Sequence, residues 1–272
     1  MKKSFRRAKR LLGGRRPQPS AAPEDDGPVL VEGQWDVYAK NWQSARFSKL
    51  ADHSIEHLGD EWTTEDPESG GSTYGLAPGV TAAFGDYLRE KLLDPYLPKD
   101  ADVGLEIGPG GGRLTEILLP RTKALHVADV SEEMLRHLRN RFGDSAGIVY
   151  HHTDGATLPA IGPASCDYAI SLDVFVHIEP RLIYWYLKQI VALLRPGGVG
   201  IIHYSNVTTE RGWHKFEHDL ERNLRVRVEA AAFAIMCPQI MGQFLATLDV
   251  EVVSLDLDII PRDAVAVFRR IG

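Results

Sequence analysis

Val103-Gly104-Leu105-Glu106-Ile107-Gly108-Pro109-Gly110-Gly111-Gly112 decides the fold. Apolar residues lead into a glycine-rich turn, with a carboxylate two positions before its first glycine. A strand–turn–helix of this kind brings a polar ligand against bare backbone N–H groups at a helix N-terminus. A dinucleotide fingerprint, G-x-G-x-x-G, would require its third glycine at position 113, which is arginine. The spacing here is Gly108-x-Gly110-x-Gly112. Glu106 suits a cationic, amine-bearing ligand better than a pyrophosphate.

Outward from that turn, residues 101–272 alternate between strand and helix patterns, as a parallel sheet covered on both faces requires. Strands are expected at 103–107, 124–128, 147–151, 167–172, 198–204, 250–257 and 264–270. A helix over 131–142 has Ser131 as N-cap, acids in its first turn and Gly143 as its stop. A second opens at Pro180 and ends at a turn, Arg195-Pro196-Gly197-Gly198. Residues 206–247 exceed a plain crossover. Trp213, Phe216, Leu220 and Leu224 recur at helical spacing there, so the stretch is expected to be a helical lid.

Residues 1–28 form a basic tail and Pro-rich linker, expected to be disordered. Residues 29–100 form an N-terminal helical cap that includes a helix over 77–97 and a Gly/Ser-rich loop at 63–75.

The 272 residues carry a net charge of −6. Eight Lys/Arg and no acid fall in residues 1–16, which leaves 23 basic and 37 acidic residues, a balance of −14, for the rest. That balance argues against a nucleic-acid substrate. The basic start suits weak contact with an anionic membrane through Phe5, Leu11 and Leu12. Two cysteines imply no disulfide framework and a reducing cytoplasm, with the inner membrane face as a peripheral site.

Asp129 follows Gly108 by 21 residues, at the end of the second strand, where an acid takes both ribose hydroxyls. Together with Glu106, Gly108, Pro109, Gly110 and Gly112, it resembles the cofactor motifs of class I S-adenosylmethionine (SAM) methyltransferases. So do Asp154-Gly155-Ala156 and the stretch Asp167–Ile178. The resemblance implies a Rossmann-like α/β fold. Its seven-stranded, mostly parallel sheet has helices on both faces, an N-terminal helical cap and a helical insertion before the last two strands.

The resemblance also implies SAM as cofactor, held by those residues with Val130, Met134 and Ser171. Asp154 would contact the adenine amine, although a plain turn aspartate is the alternative. Tyr38 or Trp42 would reach the methionine end, or merely pack. His177, four residues after Asp173, is the candidate general base for a hydroxyl acceptor. Three roles stay open for Asp173: orienting that imidazole, lining the cofactor, or ligating a divalent metal such as Mg2+. Tyr74, His203, Tyr204 and Trp213 are candidate substrate contacts.

The expected reaction is O-methylation of a sugar, polysaccharide precursor or natural product. Carbon methylation of a quinone or lipid, and a non-catalytic SAM-fold binding subunit, are the alternatives. No Asn-Pro-Pro-Tyr follows the fourth strand, which disfavours amine acceptors. His214-Lys215-Phe216-Glu217-His218 matches H-x-x-E-H, but it lies on the polar flank of an amphipathic helix and is set aside as a zinc site.

Overall fold

The computed structural model describes residues 35, 36, 39, 84–144, 147–225 and 233–272. The expectations for the tail 1–28, for Tyr38, Trp42 and Tyr74, and for the loop 63–75 lie outside the described residues, as does most of the cap.

Seven strands form one sheet: β1 (Ala101–Ile107), β2 (Thr122–Asp129), β3 (Ile148–His152), β4 (Cys166–Phe175), β5 (Leu194–Tyr204), β6 (Val250–Asp256) and β7 (Ala264–Arg270). Their order is β3-β2-β1-β4-β5-β7-β6. β7 runs antiparallel to both its neighbours, and the other pairings are parallel. The order reverses between β1 and β4. The carboxyl ends of those strands therefore flank the crevice where ligands bind in open α/β sheets.

The central strands alternate between two buried faces. Val199 and Ile201 of β5 join one core, and Ile202 and Tyr204 join the other. Three helices cover the first face: α1 (Phe84–Leu88, continuing through a π-helical turn, Arg89–Leu93, into Asp94–Tyr96), α2 (Arg113–Leu118) and α3 (Glu132–Phe142). Leu92 and Leu93 of the π turn are both buried. The second face is covered by α4 (Pro180–Leu193) and α6 (Pro238–Leu245). Each large apolar side chain buried in these layers contributes about 1.5–3 kcal/mol.

Local signals set the helix ends. Ser131 caps α3 by accepting the Met134 N–H at 3.1 Å. Glu179 caps α4 through the Leu182 N–H at 3.1 Å, and Pro180 opens that helix. One glycine of the opening motif serves packing rather than ligand. A Cβ on Gly104 would lie 2.4 Å from the Tyr168 ring, which crosses β1 at that point. The Tyr168 hydroxyl bonds Thr122 Oγ1 at 2.6 Å, and Thr122 in turn donates to the Leu118 carbonyl.

Two expectations need correction. Arg195–Gly198 is not a turn before the fifth strand but a bulge inside β5. Leu194 already pairs with Cys166, and pairing resumes at Val199 after Gly197 takes φ +78°. Nor is the stretch 206–247 a lid throughout. Met236, Met241 and Leu245 are fully buried in the second core, so α6 is fixed crossover structure. Among the described residues of this stretch, α5 (Glu210–Arg225) is the more exposed helix, with Trp213 and Leu220 about half exposed. Among the described residues, no helix is long and apolar enough to cross a membrane.

Candidate functional site

The carboxyl ends of β1 and β2 place two acids on either side of the glycine turn. Glu106 is buried, and its Oε2 accepts the Thr115 hydroxyl of α2 at 2.7 Å. Burial pushes its carboxyl up to about 8, against the downward pull of that hydrogen bond. Asp129 is also buried and pushed up to about 6, while the N–H groups of Ser131, Gly110 and Val130 draw it down. The Ser131 N–H donates to Asp129 Oδ1 at 2.8 Å.

The turn itself is held by backbone. The Gly108 N–H reaches the Ala128 carbonyl at 2.8 Å, and the Gly112 N–H reaches that of Pro109 at 3.0 Å. Gly108 has φ +69°, and a Cβ there would stand 2.1 Å from Val174 Cγ2, so the position admits no side chain. Gly112 adopts φ +93° as the N-cap of α2. A glycine turn, a helix start and two carboxylates thus converge at one point.

The neighbouring wall comes from β3 and α3. The Thr153 N–H donates to the Asp129 carbonyl at 2.9 Å, which sets the next loop beside Asp129. Gly155, at φ +80°, faces Val130. Asp154 is exposed and caps its own turn. Its Oδ1 accepts the Ala156 and Thr157 N–H groups at 2.9 and 2.6 Å, and its Oδ2 accepts the Thr157 hydroxyl. Those bonds hold its carboxyl below the usual range. Asp154 makes the bonds of a turn aspartate. Met134 is buried against Ala39.

Across the switch point, β4 ends in Asp173, a non-glycine residue at φ +61°. Such a conformation costs on the order of 1 kcal/mol or more and persists only where the surroundings impose it. Arg113 Nη2 pairs with Asp173 Oδ2 at 2.5 Å. The Asp173 N–H donates to His203 Nδ1 at 3.1 Å, so Nε2 carries the proton and donates to Asp263 Oδ2 at 2.9 Å. Arg262 closes the chain on Asp263, whose carboxyl it holds down against burial. A connected polar row, two ion pairs joined through the His203 imidazole, thus starts at the end of β4, four residues before His177. The His177 ring lies 5.7 Å from that of Trp35, tilted by 53°.

Three expected contacts are corrected by this geometry. Ser171 is buried and donates to the Ile107 carbonyl at 2.8 Å, tying β4 to β1 rather than facing a ligand. His203 and Tyr204 are fully buried, the first within the polar row and the second within the core, so neither can line an acceptor pocket. Trp213 stands half exposed on α5 against Phe216, 5.3 Å between ring centres. Asp173 already carries Arg113, and among the described residues no group of three His, Cys, Asp or Glu clusters for a metal. His214 and His218 are exposed on α5.

Sequence reasoning passes over Trp35, Asp36, Arg113 and Asp263. Arg113 adjoins the glycine turn, and that adjacency is a signal the sequence carries. The others are joined to the site only by folding.

Comparison with known proteins agrees with this arrangement. Residues 105–199 match the family model described as a methyltransferase domain. Over that stretch the chain is similar to the class I SAM-dependent methyltransferases. Over 91 residues it is 32% identical to ribosomal RNA small subunit methyltransferase A of Nitrosospira multiformis, covering 30% of this chain and 34% of that protein. Over 105 residues it is 31% identical to the ubiquinone biosynthesis O-methyltransferase of Parvibaculum lavamentivorans, covering 38% and 40%. The chain thus spans well under half the length of these curated relatives.

Among solved structures, the methyltransferase domain resembles the N-methyltransferase NodS of Bradyrhizobium japonicum WM9 in complex with S-adenosylhomocysteine (SAH). The TM-score is 0.52 at 19% identity, over 71% of this chain and 89% of that one. It also resembles the PH0226 protein of Pyrococcus horikoshii OT3, with TM-score 0.55 at 18% identity, over 70% and 90%. These likenesses establish the fold.

Proposed function

We propose that this protein transfers a methyl group from SAM to a hydroxyl of a small polar acceptor: a sugar, a polysaccharide precursor or a natural product. The observation that carries the reading is His177, set just past β4 at the carboxyl edge of the sheet. The buried His203–Asp263 pair accepts the Asp173 N–H in front of it.

Glu106 and Asp129 fit the cofactor. Both are buried carboxylates kept partly protonated by burial, so ligand donors and a ligand cation would relieve them. Asp129 is assigned the ribose hydroxyls. Glu106 is assigned the amine end, with the Gly108–Gly112 turn beside it. When bound, SAM supplies an electrophilic methyl on a sulfonium. The chain's own task is to align the acceptor oxygen and remove its proton. A neutral imidazole does the second at pH 7, and the gain is typically about 10²–10⁴-fold. Asp173, paired with Arg113, serves as floor rather than base.

The relatives named for ribosomal RNA favour a second reading, a nucleic-acid acceptor. The acidic balance beyond residue 16 opposes it, because binding to nucleic acid is driven by a basic face. A panel of glycosides, phenols and ribosomal RNA, scored by SAH release with and without magnesium, tests the reading. Turnover of a hydroxyl acceptor that survives chelator is expected. Turnover of RNA alone would overturn it, and strict dependence on magnesium would replace the histidine mechanism with a metal-assisted one.

A further inference from the structure

The helical segment carrying Trp35, Asp36 and Ala39 is pinned at both sides of the site. The Asp36 carboxylate accepts the Ser131 hydroxyl and the Glu133 N–H at the start of α3, which follows the cofactor strand β2. Ala39 is fully buried against Met134. Trp35, one residue from Asp36, reaches the opposite side and sets its ring beside His177. Trp35 and Asp36 therefore link the acceptor side and the cofactor side. Asp36 and Ala39 already anchor the segment, and the partly exposed indole adds an aromatic face next to the proposed base.

An acceptor hydroxyl that reaches His177 must lie beside that face. The same sheet edge presents Arg113 and Asp173, ion-paired yet each with about a fifth of its side chain exposed, 21% and 20%. One donates hydrogen bonds and the other accepts them. An aromatic face next to His177, with a donor–acceptor pair on the strand end four residues before it, matches a ring with an apolar face and a hydroxylated edge. A phenol would cover the indole as well, but it would strip water from Arg113 and Asp173 without replacing those hydrogen bonds.

We infer that Trp35 is a specificity-determining residue of the acceptor site, its indole taking the C–H face of a pyranose ring whose hydroxyls meet Arg113 and Asp173. This rests on the reading of His177 as the base beside the acceptor.

The test is calorimetric titration of the full chain, saturated with SAH, with methyl pyranosides and with simple phenols. Trp35→Ala should weaken pyranoside binding by about tenfold or more and leave SAH affinity within about twofold. Trp35→Phe should lose about threefold, and it carries the test if the alanine variant does not fold. Unchanged pyranoside affinity in both variants would overturn the inference. So would a parallel loss of SAH affinity, which would make Trp35 part of the cofactor cover. Wild-type protein that binds phenols but no pyranoside would overturn the sugar assignment. If His177→Ala kept full turnover while Trp35→Ala still lost pyranoside, the base would be wrong and the wall would stand.

Discussion

The two halves of the carboxyl edge are built differently. On the β1–β2 side, Glu106, the glycine turn and Asp129 lie within 24 residues of sequence and are fastened mainly by backbone bonds between adjacent strands. On the β4–β5 side, Asp173, His203 and Asp263 are 30 and 60 residues from one another and are joined through the His203 ring, with Arg113 reaching Asp173 from the start of α2. The first half is a local motif that comes with the fold. The second is assembled only when distant strands are in place. Under the proposed function the local half holds the cofactor and the assembled half serves the acceptor, so variants in each should fail in different ways.

The largest effect is expected at His177. His177→Ala should lower kcat by about 10²–10⁴-fold, because a hydroxyl is a poor nucleophile until its proton leaves. Steady-state kinetics on whichever hydroxyl acceptor the panel identifies will measure it. A near-normal kcat would remove the imidazole from the mechanism and empty the assembled half of its assigned role.

A smaller effect sharpens the comparison from the cofactor side. Glu106 and Asp129 both titrate higher in the folded chain than their ordinary values, about 8 and about 6. The folded state thus binds these two protons more tightly, so what they contribute to stability is complete near pH 4 and is lost as pH rises through about 6 and about 8. Every tenfold difference in proton affinity between folded and unfolded chain is worth about 1.4 kcal/mol. For a chain of this size, a kcal/mol moves Tm by roughly 2–4 °C. Thermal unfolding of the ligand-free protein should therefore drop by several degrees from pH 5.5 to 8.5, and SAH should restore more stability at the higher pH. A ligand effect that is flat with pH would separate the two carboxyls from the cofactor.

How much of this is legible in the sequence follows the same division. The strands are readable because each is a short apolar run between turn residues, and Ser131, Pro180 and Gly143 mark helix ends by local chemistry. Glu106, Gly108 and Asp129 are readable because their spacing is fixed by one strand–helix–strand unit. Periodicity cannot tell a lid from a crossover, so α6 reads together with α5 although Met241 and Leu245 belong to the core. His203 sits at the right strand end, but its alternation and its partner Asp263, 60 residues on, turn it inward. Trp35 falls with Tyr38, Trp42 and Phe47 at loosely helical spacings, which mark a helix and not a site. Its value comes from Asp36 binding α3 across 95 residues of sequence.

The most direct measurement is a crossed calorimetric titration with SAH on wild type, Asp129→Ala and His177→Ala. Loss of a charged hydrogen-bond partner in a buried site costs about 1.5–3 kcal/mol, so Asp129→Ala should bind SAH about 10- to 150-fold more weakly. His177→Ala should bind it within about twofold of wild type. Unchanged affinity in Asp129→Ala, or equal losses in both variants, would contradict the division of the site into a cofactor half and an acceptor half.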